Sequence, residues 1–387
     1  MKYLAVLGRQ PELSLAELEA LFSDVKRLSD SLALFEAKLV DNIDGLGGTL
    51  KLAAVLDGKP LEYLQRLPEG KITIGVSDYS KNASRKTATT EALKLKKILV
   101  RHGRSVRVVE NKDAVLSTAT SLHNGLSGKN ERKVELIKVN SDWYRVIGVQ
   151  DIDAYARRDQ KRPARDAKVG MLPPKLAQIL INLCGSLKTG STILDPFCGT
   201  GVVLQEALLM GYRACGTDID ERMVSYSQKN LKWLLCEHCD QRGACSSEPR
   251  NDGREREREQ SNLFQVLQGD ATSFHWDQPI DAVACEGYLG KPMSQIPTDM
   301  KLKEQKQECG AIILGFLKNL AGQIKADTPV VVAAPAWLRE NGEYSRLSII
   351  DKIEELGYNV NNKTHEGLIY HREKQIVARD ILILRKK

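Results

Sequence analysis

Four acidic residues carry the chemistry this sequence offers, and each stands at or just past the end of a short apolar run. Asp195 closes T-I-L-D, Asp218 closes A-C-G-T-D, Asp270 follows L-Q-G, and Glu286 closes D-A-V-A-C-E. An open α/β sheet binds its ligand outside the carboxyl ends of its strands, so acids placed there face one crevice. Any one of them would serve as a helix cap, because Asp is common where a strand passes into a helix. Four on successive strands instead make a rim suited to a ligand with hydroxyls, an amine or a positive charge.

The first acid opens the stretch D-P-F-C-G-T-G, residues 195–201, and helical spacing follows over 202–211. Gly199 and Gly201 permit a turn that a Cβ would obstruct and let main chain approach a ligand closely. Asp218, about 20 residues beyond the turn, is placed to accept hydrogen bonds from ribose hydroxyls. A dinucleotide enzyme would carry G-x-G-x-x-G here and seat a pyrophosphate on the helix N-terminus. Only G-T-G is present, and Asp195 ahead of it repels a pyrophosphate while attracting an amino group or a sulfonium. The expected ligand is therefore the cation S-adenosylmethionine.

The elements that position these acids alternate regularly from Leu176 onward. Helices are predicted over 176–187, 202–211, 221–235, 301–325 and 345–356, and strands over 191–195, 213–218, 263–269, 280–285 and 328–334. This alternation predicts a Rossmann-like α/β domain over 176–387, a parallel sheet with helices on both faces. Two final β-like runs, 366–371 and 375–385, are too close for a crossover helix and predict an antiparallel hairpin at the sheet edge. The polar stretch 236–261 reads as a disordered surface insertion. It holds Cys236, Cys239 and Cys245, with His238 inside the C-x2-C pair. Three cysteines and a histidine are a zinc-ligand set, but His238 between the first two makes joint ligation awkward, so free loop cysteines and no metal are expected.

At 387 residues the chain has room for two domains. Several of its eight cysteines (Cys184, Cys198, Cys215, Cys285) lie in apolar runs and read as reduced core residues. No stretch approaches the about 18 continuous apolar residues of a membrane span, and residues 1–8 lack a signal pattern, so a cytoplasmic protein is expected. The net charge is +7, with the basic residues clustered.

Residues 1–152 read as an α+β region. An apolar run at 3–7 is followed by Ser14 and Glu17 spaced as a capping box for a helix to Leu21. Strands follow at 71–76 and 105–109, a helix at 90–102, and two strands within 133–151 around Ser141-Asp142. Between Lys81 and Lys112 ten Lys/Arg face only Glu91 and Glu110. A solvated helix face is the bland explanation, and contact with nucleic-acid phosphates, through Arg85, Lys86, Lys97 and Arg101, is the better one. A basic linker, 153–175, carries Pro163, Pro173 and Pro174 and is expected to be extended, with Arg157, Arg158, Arg162 and Arg165 placed to line a groove between the domains and Arg158, Arg162 and Arg165 expected to contact RNA.

The run R-D-x-x-R-P-x-R-D-x-x-x-G-M-L-P-P-K-L-A-Q, residues 158–178, followed by D-P-F-C-G-T-G, Q-E-A-L-L-M-G-Y and, near the end, Q-I-V-A-R-D-I, resembles the THUMP-domain tRNA guanine-N2 methyltransferases that act on guanine 10. The resemblance implies a ferredoxin-like plus THUMP RNA-binding region over 1–152 and a methyltransferase domain over 176–387. It implies tRNA or another structured RNA as partner, with a small activating subunit as a further candidate. Asp195, Phe197, Gly199 and Gly201 would contact S-adenosylmethionine, Asp218 its ribose, Asp270 the adenine amine, and Pro173-Pro174 the methionine end.

One stretch departs from the family. Where it carries D/N-P-P-Y/F, this chain has Glu286-Gly287-Tyr288-Leu289. The lone pair of guanine N2 is delocalised into the ring, so catalysis needs acceptors for its N–H bonds and an aromatic against the extruded base. Glu286 offers an acceptor one methylene longer, Gly287 its carbonyl, and Tyr288 an aromatic one place early. The missing prolines leave three readings open: a divergent active enzyme, an amino-methyltransferase acting on another RNA or on DNA, or an RNA-binding THUMP protein without catalysis.

Overall fold

The computed structural model describes residues 1–40, 43–166, 171–242, 262–361, 368–373 and 375–387. The chain divides into two units, Met1–Tyr155 and Ala156–Lys387.

The first unit is an α+β layer built on one sheet. Its strands are β1 (Lys2–Leu7), β2 (Ser23–Ser29), β3 (Leu32–Glu36), β4 (Thr49–Val55), β5 (Ile72–Asp78), β6 (Val106–Val108), β7 (Lys133–Val139) and β8 (Asp142–Val149). They lie in the order β2-β3-β1-β4-β8-β7-β5-β6, with β5 parallel to both neighbours and the remaining pairs antiparallel. The helices are α1 (Pro11–Leu21), α2 (Pro60–Gln65), α3 (Arg85–Arg101) and α4 (Thr118–His123).

The capping box predicted at Ser14 and Glu17 is not one. Proline at the first position starts α1 earlier, and both side chains turn inward and are buried. The Glu17 carboxylate accepts the N–H groups of Gly47 and Gly48, each at 2.8 Å, and Ser14 Oγ donates to the Gly48 carbonyl at 2.8 Å, which pins the loop ahead of β4. The reciprocal cap lies at α3, where Ser84 Oγ accepts from Thr87 N and Thr87 Oγ1 accepts from Ser84 N. It starts α3 at Arg85 instead of Thr90, with Thr in the place usually taken by Glu or Gln.

Inside this unit the Lys51 ammonium is 2% exposed and spends all three donors, on Glu135, on Ser121 Oγ (2.9 Å) and on the Leu116 carbonyl (2.7 Å). Glu135 is fully buried and also accepts from Ser77 and Ser121, so β4, β5, β7 and α4 meet at one ion pair.

The expected extended linker begins with a helix, α5 (Ile152–Gln160). Asp151 Oδ1 caps it by accepting from Asp153 N and Ala154 N, and Arg157 and Arg158 sit in its last turn, where the helix dipole favours cations. Beyond it come α6 (Pro174–Asn182), β9 (Thr192–Asp195), α7 (Val202–Leu209), β10 (Arg213–Asp218), α8 (Glu221–Arg242), β11 (Phe264–Gln268), β12 (Ala282–Glu286), α9 (Asp299–Ala321), β13 (Pro329–Leu338), β14 (Tyr344–Ser345), α10 (Ile350–Glu355), β15 (Tyr358–Val360), β16 (Ile369–Tyr370) and β17 (Val377–Lys386). The sheet order is β11-β10-β9-β12-β13-β17-β15, the first five strands parallel and β17 antiparallel to both neighbours.

The predicted antiparallel pairing of the last two runs is present as β16 on β17, and only its placement at the sheet edge is corrected by this order. β16 pairs with β17 at two positions only, while β17 lies inside the sheet, and β15, too short to signal itself, takes the edge. β17 is buried over most of its length, as a strand with neighbours on both sides must be. The insertion predicted from residue 236 starts as the end of α8, and residues 243–261 lie outside the described residues. Cys236 is an exposed free thiol, and the side chains of His238, Cys239 and Cys245 lie outside the described residues. Cys184, Cys198, Cys215, Cys285 and Cys309 are buried free thiols, and no group of His, Cys, Asp and Glu among the described residues is arranged to hold a metal. No described helix is long and apolar enough to cross a membrane.

Replacing Lys51 by Met leaves Glu135 buried without its partner and is expected to cost about 3–5 kcal/mol in urea unfolding of the full chain, with Lys51→Met/Glu135→Gln less destabilised than the single change.

Candidate functional site

Parallel pairing of β9 with β10 and β12, and of β10 with β11, ends four strands on the same side of the sheet, and the four acids emerge there. Asp195, Asp218, Asp270 and Glu286 line one cavity of about 840 Å³, together with Phe197, Gly199, Gly287, Tyr288, Met171 and Leu172. Three of them also act as local caps. Asp195 Oδ1 accepts from Phe197 N (3.1 Å), Asp218 accepts from Gly199 N and Asp220 N (each 2.9 Å), and Asp270 Oδ1 accepts from Thr272 N and Oγ1 (2.9 and 2.8 Å). Capping and cavity lining are thus one arrangement: the hydrogen bonds of each turn fix the carboxylate that the cavity sees.

The two glycines of the turn differ. Gly201 has φ +81 and an added Cβ would stand 2.8 Å from Ser227 Oγ, so it seats α7 against α8 and does not line the cavity. Gly199 has φ +52, lines the cavity, and an added Cβ would meet nothing nearer than the Phe197 carbonyl at 4.0 Å. Pro173 and Pro174 do not line it either. They are the N-cap and first residue of α6, while Met171 and Leu172 just before them do line it.

Burial pushes the Asp195 carboxyl, 2% exposed, well above the ordinary carboxylate range, and the negative charges of Asp218 and Glu286 push the same way. Asp218 and Glu286 are raised as well, again chiefly by burial. No Lys or Arg among the described residues is within ion-pair distance of Asp195 or Asp218. Such a cluster is poised for a cation.

Glu286 has a partner the sequence did not suggest. Arg379 of β17, 5% exposed at its side chain, donates from Nε to Glu286 Oε1 at 2.8 Å and from Nη1 to Gln375 Oε1 at 3.1 Å. The available signal was a lone arginine in the apolar run of Q-I-V-A-R-D-I. The rest of the divergent stretch is tied down without prolines. Gly287 N donates to the Ala333 carbonyl (3.0 Å), Tyr288 OH to Glu308 Oε1 (3.1 Å), and Lys291 N to Gln305 Oε1 (2.9 Å).

Of the residues foreseen for RNA, Arg85, Lys86, Lys97 and Arg101 are exposed on α3, whose inner face buries Ala88, Ala92, Leu95 and Leu99. Arg165 is exposed as well and donates to the Gln160 carbonyl. Arg158 and Arg162 are corrected. Arg158 grips Glu206 through Nε (2.7 Å) and Nη2 (3.2 Å), and Arg162, 2% exposed, donates to Met171 Sδ. A fully buried carboxylate at Glu206 demands a counter-charge, and even beside Arg158 its burial lifts it to about 7.

Comparison with known proteins bears on this unit. Residues 161–241 match a family model described as UPF0020: RMKL-like, methyltransferase domain. The tRNA (guanine(10)-N2)-dimethyltransferase of Methanothermobacter thermautotrophicus is 37% identical over 169 residues, 44% of this chain and 40% of that protein. The protein of the same name from Pyrococcus abyssi is 28% identical over 246 residues, 60% of this chain and 68% of that one. The chain thus spans less than half the length of the Methanothermobacter relative. Among solved structures, TrmN from Thermus thermophilus aligns over 100% of both chains at 17% identity with a TM-score of 0.47, too loose a likeness to bear on function.

Because burial raises the Asp195 carboxyl in the fold, its contribution to stability is full below the unfolded value and is lost as pH rises through the folded one. Asp195→Asn is therefore expected to melt at a higher temperature than the wild type at pH 8 in the absence of ligand, with the gain shrinking toward pH 5. A gain that is independent of pH in thermal scans would contradict the raised carboxyl.

Proposed function

We propose that this chain is an S-adenosylmethionine-dependent methyltransferase acting on the exocyclic N2 of a guanine in tRNA. The observation that carries the reading is the cavity rimmed by four acids, with Asp195 buried and without a cationic partner among the described residues. The names of the Methanothermobacter and Pyrococcus relatives support the choice of target atom and RNA.

The donor set suits the cofactor. Asp195 and its acidic neighbours would balance the sulfonium and amino charges, Asp218 would accept from ribose hydroxyls, and Asp270 from the adenine amine, with Phe197 and Gly199 forming the adjacent wall. When bound, the cofactor supplies an electrophilic methyl group. The chain's own part is to hold the amine. Glu286 Oε2 and the Gly287 carbonyl would accept its two N–H bonds, raise the electron density on N2, and leave the carboxylate to take the proton that departs. Tyr288 would stand against the base. The unit of residues 1–155 would hold RNA as a THUMP-type domain, with the exposed basic face of α3 on phosphates.

Mass spectrometry of nucleosides from tRNA incubated with the protein and methyl-labelled S-adenosylmethionine is expected to show labelled N2-methylguanosine. Glu286→Ala is expected to lower kcat by about 10²–10³-fold while calorimetric binding of S-adenosylmethionine persists. Unchanged turnover in that variant would remove Glu286 from the mechanism, and no heat of cofactor binding in the wild type would sink the assignment itself.

A further inference from the structure

Glu286 sits where a carboxylate is needed and where burial argues against one. The only cationic side chain within ion-pair distance of it among the described residues is Arg379, which reaches it from a strand that enters the sheet more than 90 residues later, by an Nε–H donated at 2.8 Å to one oxygen. The second oxygen, Oε2, has no partner among the described residues, and Glu286 lines the cavity. Arg379 does not line the cavity and is itself held by Gln375 Oε1, so the guanidinium is a buried bracket and not a ligand contact.

We propose that Arg379 is a positioning residue for methyl transfer: it holds Glu286 ionised and turned so that Oε2 faces the amine to be methylated. The inference rests on the function proposed above and says what fixes the acceptor in a stretch, 286–289, that holds no proline. Prolines there would fix acceptor geometry through the backbone. Here the acceptor is fixed through its side chain, by a charge-assisted hydrogen bond from β17, which lies beyond β13 in the same sheet. The two devices differ in one respect that can be measured, since only the second couples the geometry to protonation of the acceptor.

The charged and titratable groups around Glu286 are few. Asp195 on β9 shares the cavity and has its own carboxyl raised in part by the charge of Glu286, and Cys285 precedes Glu286 on β12 as a buried thiol. Arg379 favours its charge most and Arg372 less. Tyr288 follows it, tied to Glu308 on α9, beside Cys309. Removing Arg379 thus leaves Glu286 with burial against its ionisation and only the weaker pull of Arg372 in its favour.

The test compares full-length wild type, Arg379→Gln and Arg379→Lys, with Glu286 followed by carboxyl-13C NMR of labelled glutamate and its signal assigned by loss in Glu286→Gln. Arg379→Gln is expected to move the Glu286 midpoint up by about one pH unit or more. With tRNA it should lower kcat at pH 7.5 by about tenfold or more and shift the acid limb of the kcat profile upward by the same amount, leaving KM for S-adenosylmethionine near that of the wild type. Arg379→Lys keeps the charge but loses the planar fork, so its midpoint should stay near the wild type's while kcat still falls. An unmoved midpoint in a folded Arg379→Gln overturns the proposal, as does an Arg379→Lys variant with full kcat. If Arg379→Gln does not fold, the Arg379→Lys pair of readouts decides alone. A wild type that methylates no RNA refutes the function proposed above and with it the catalytic role of Arg379, whereas the NMR midpoints separately decide whether Arg379 sets the ionisation of Glu286.

Discussion

The constraint on which the second unit depends is a cluster of buried carboxyl groups at the carboxyl ends of its parallel strands, of which Glu286 alone has a cationic partner among the described residues. Asp195, Asp218 and Glu286 share one cavity, and each is pushed toward its neutral form mainly by burial. A protein interior tolerates such a cluster only if local donors hold it or a ligand completes it. The turns supply part of the answer, through the Phe197, Gly199 and Asp220 N–H groups. What they leave undone is the feature a cationic ligand would satisfy. The features that most resemble a binding site are therefore those that an empty fold finds least comfortable, which is the usual relation between stability and function at such sites.

Much of this was legible in the chain because it is local. The β9 to α7 turn, the apolar strands and the acids after them are each written within a few residues, and β10 has its predicted bounds. What was not legible depends on pairing between distant segments. That β17 inserts beside β13 follows from nine register pairs that no local pattern encodes, and Arg379 reaches Glu286 only as a result. The linker arginines show the same limit from the other side. Composition cannot distinguish an exposed arginine from a buried one, so Arg158 and Arg162 read as a nucleic-acid surface until Glu206 is seen against the first and Met171 against the second. Ser14 and Glu17 had the right spacing for a cap in the wrong place, because Pro11 had already started the helix.

The first unit solves a comparable problem differently. Its Lys51–Glu135 pair is fully enclosed and every donor of the ammonium is used, so nothing is left for a ligand. Because β5 is parallel to both neighbours, it needs crossover connections, and α3 is one of them, carried with its apolar stripe inward and its basic face out. The chain thus separates its two kinds of charge chemistry: exposed cations on a helix in one unit, and buried anions at strand ends in the other.

The contrast between the two arginine–carboxylate pairs of the second unit shows how geometry assigns their roles. Arg158 meets Glu206 with two nitrogens, one to each oxygen, and the carboxylate is 0% exposed. Both oxygens are engaged and the carboxylate is shut off from the cavity, so that pair holds α5 and α7 in place. Arg379 meets Glu286 with one nitrogen on one oxygen, and the carboxylate is 16% exposed at the cavity wall. A bidentate grip would have engaged both oxygens of Glu286, and no grip at all would have left burial unopposed in favouring its neutral form. Monodentate contact from a residue outside the cavity favours the charged carboxylate, orients it through Oε1 and leaves Oε2 free to accept a hydrogen bond from the cavity side.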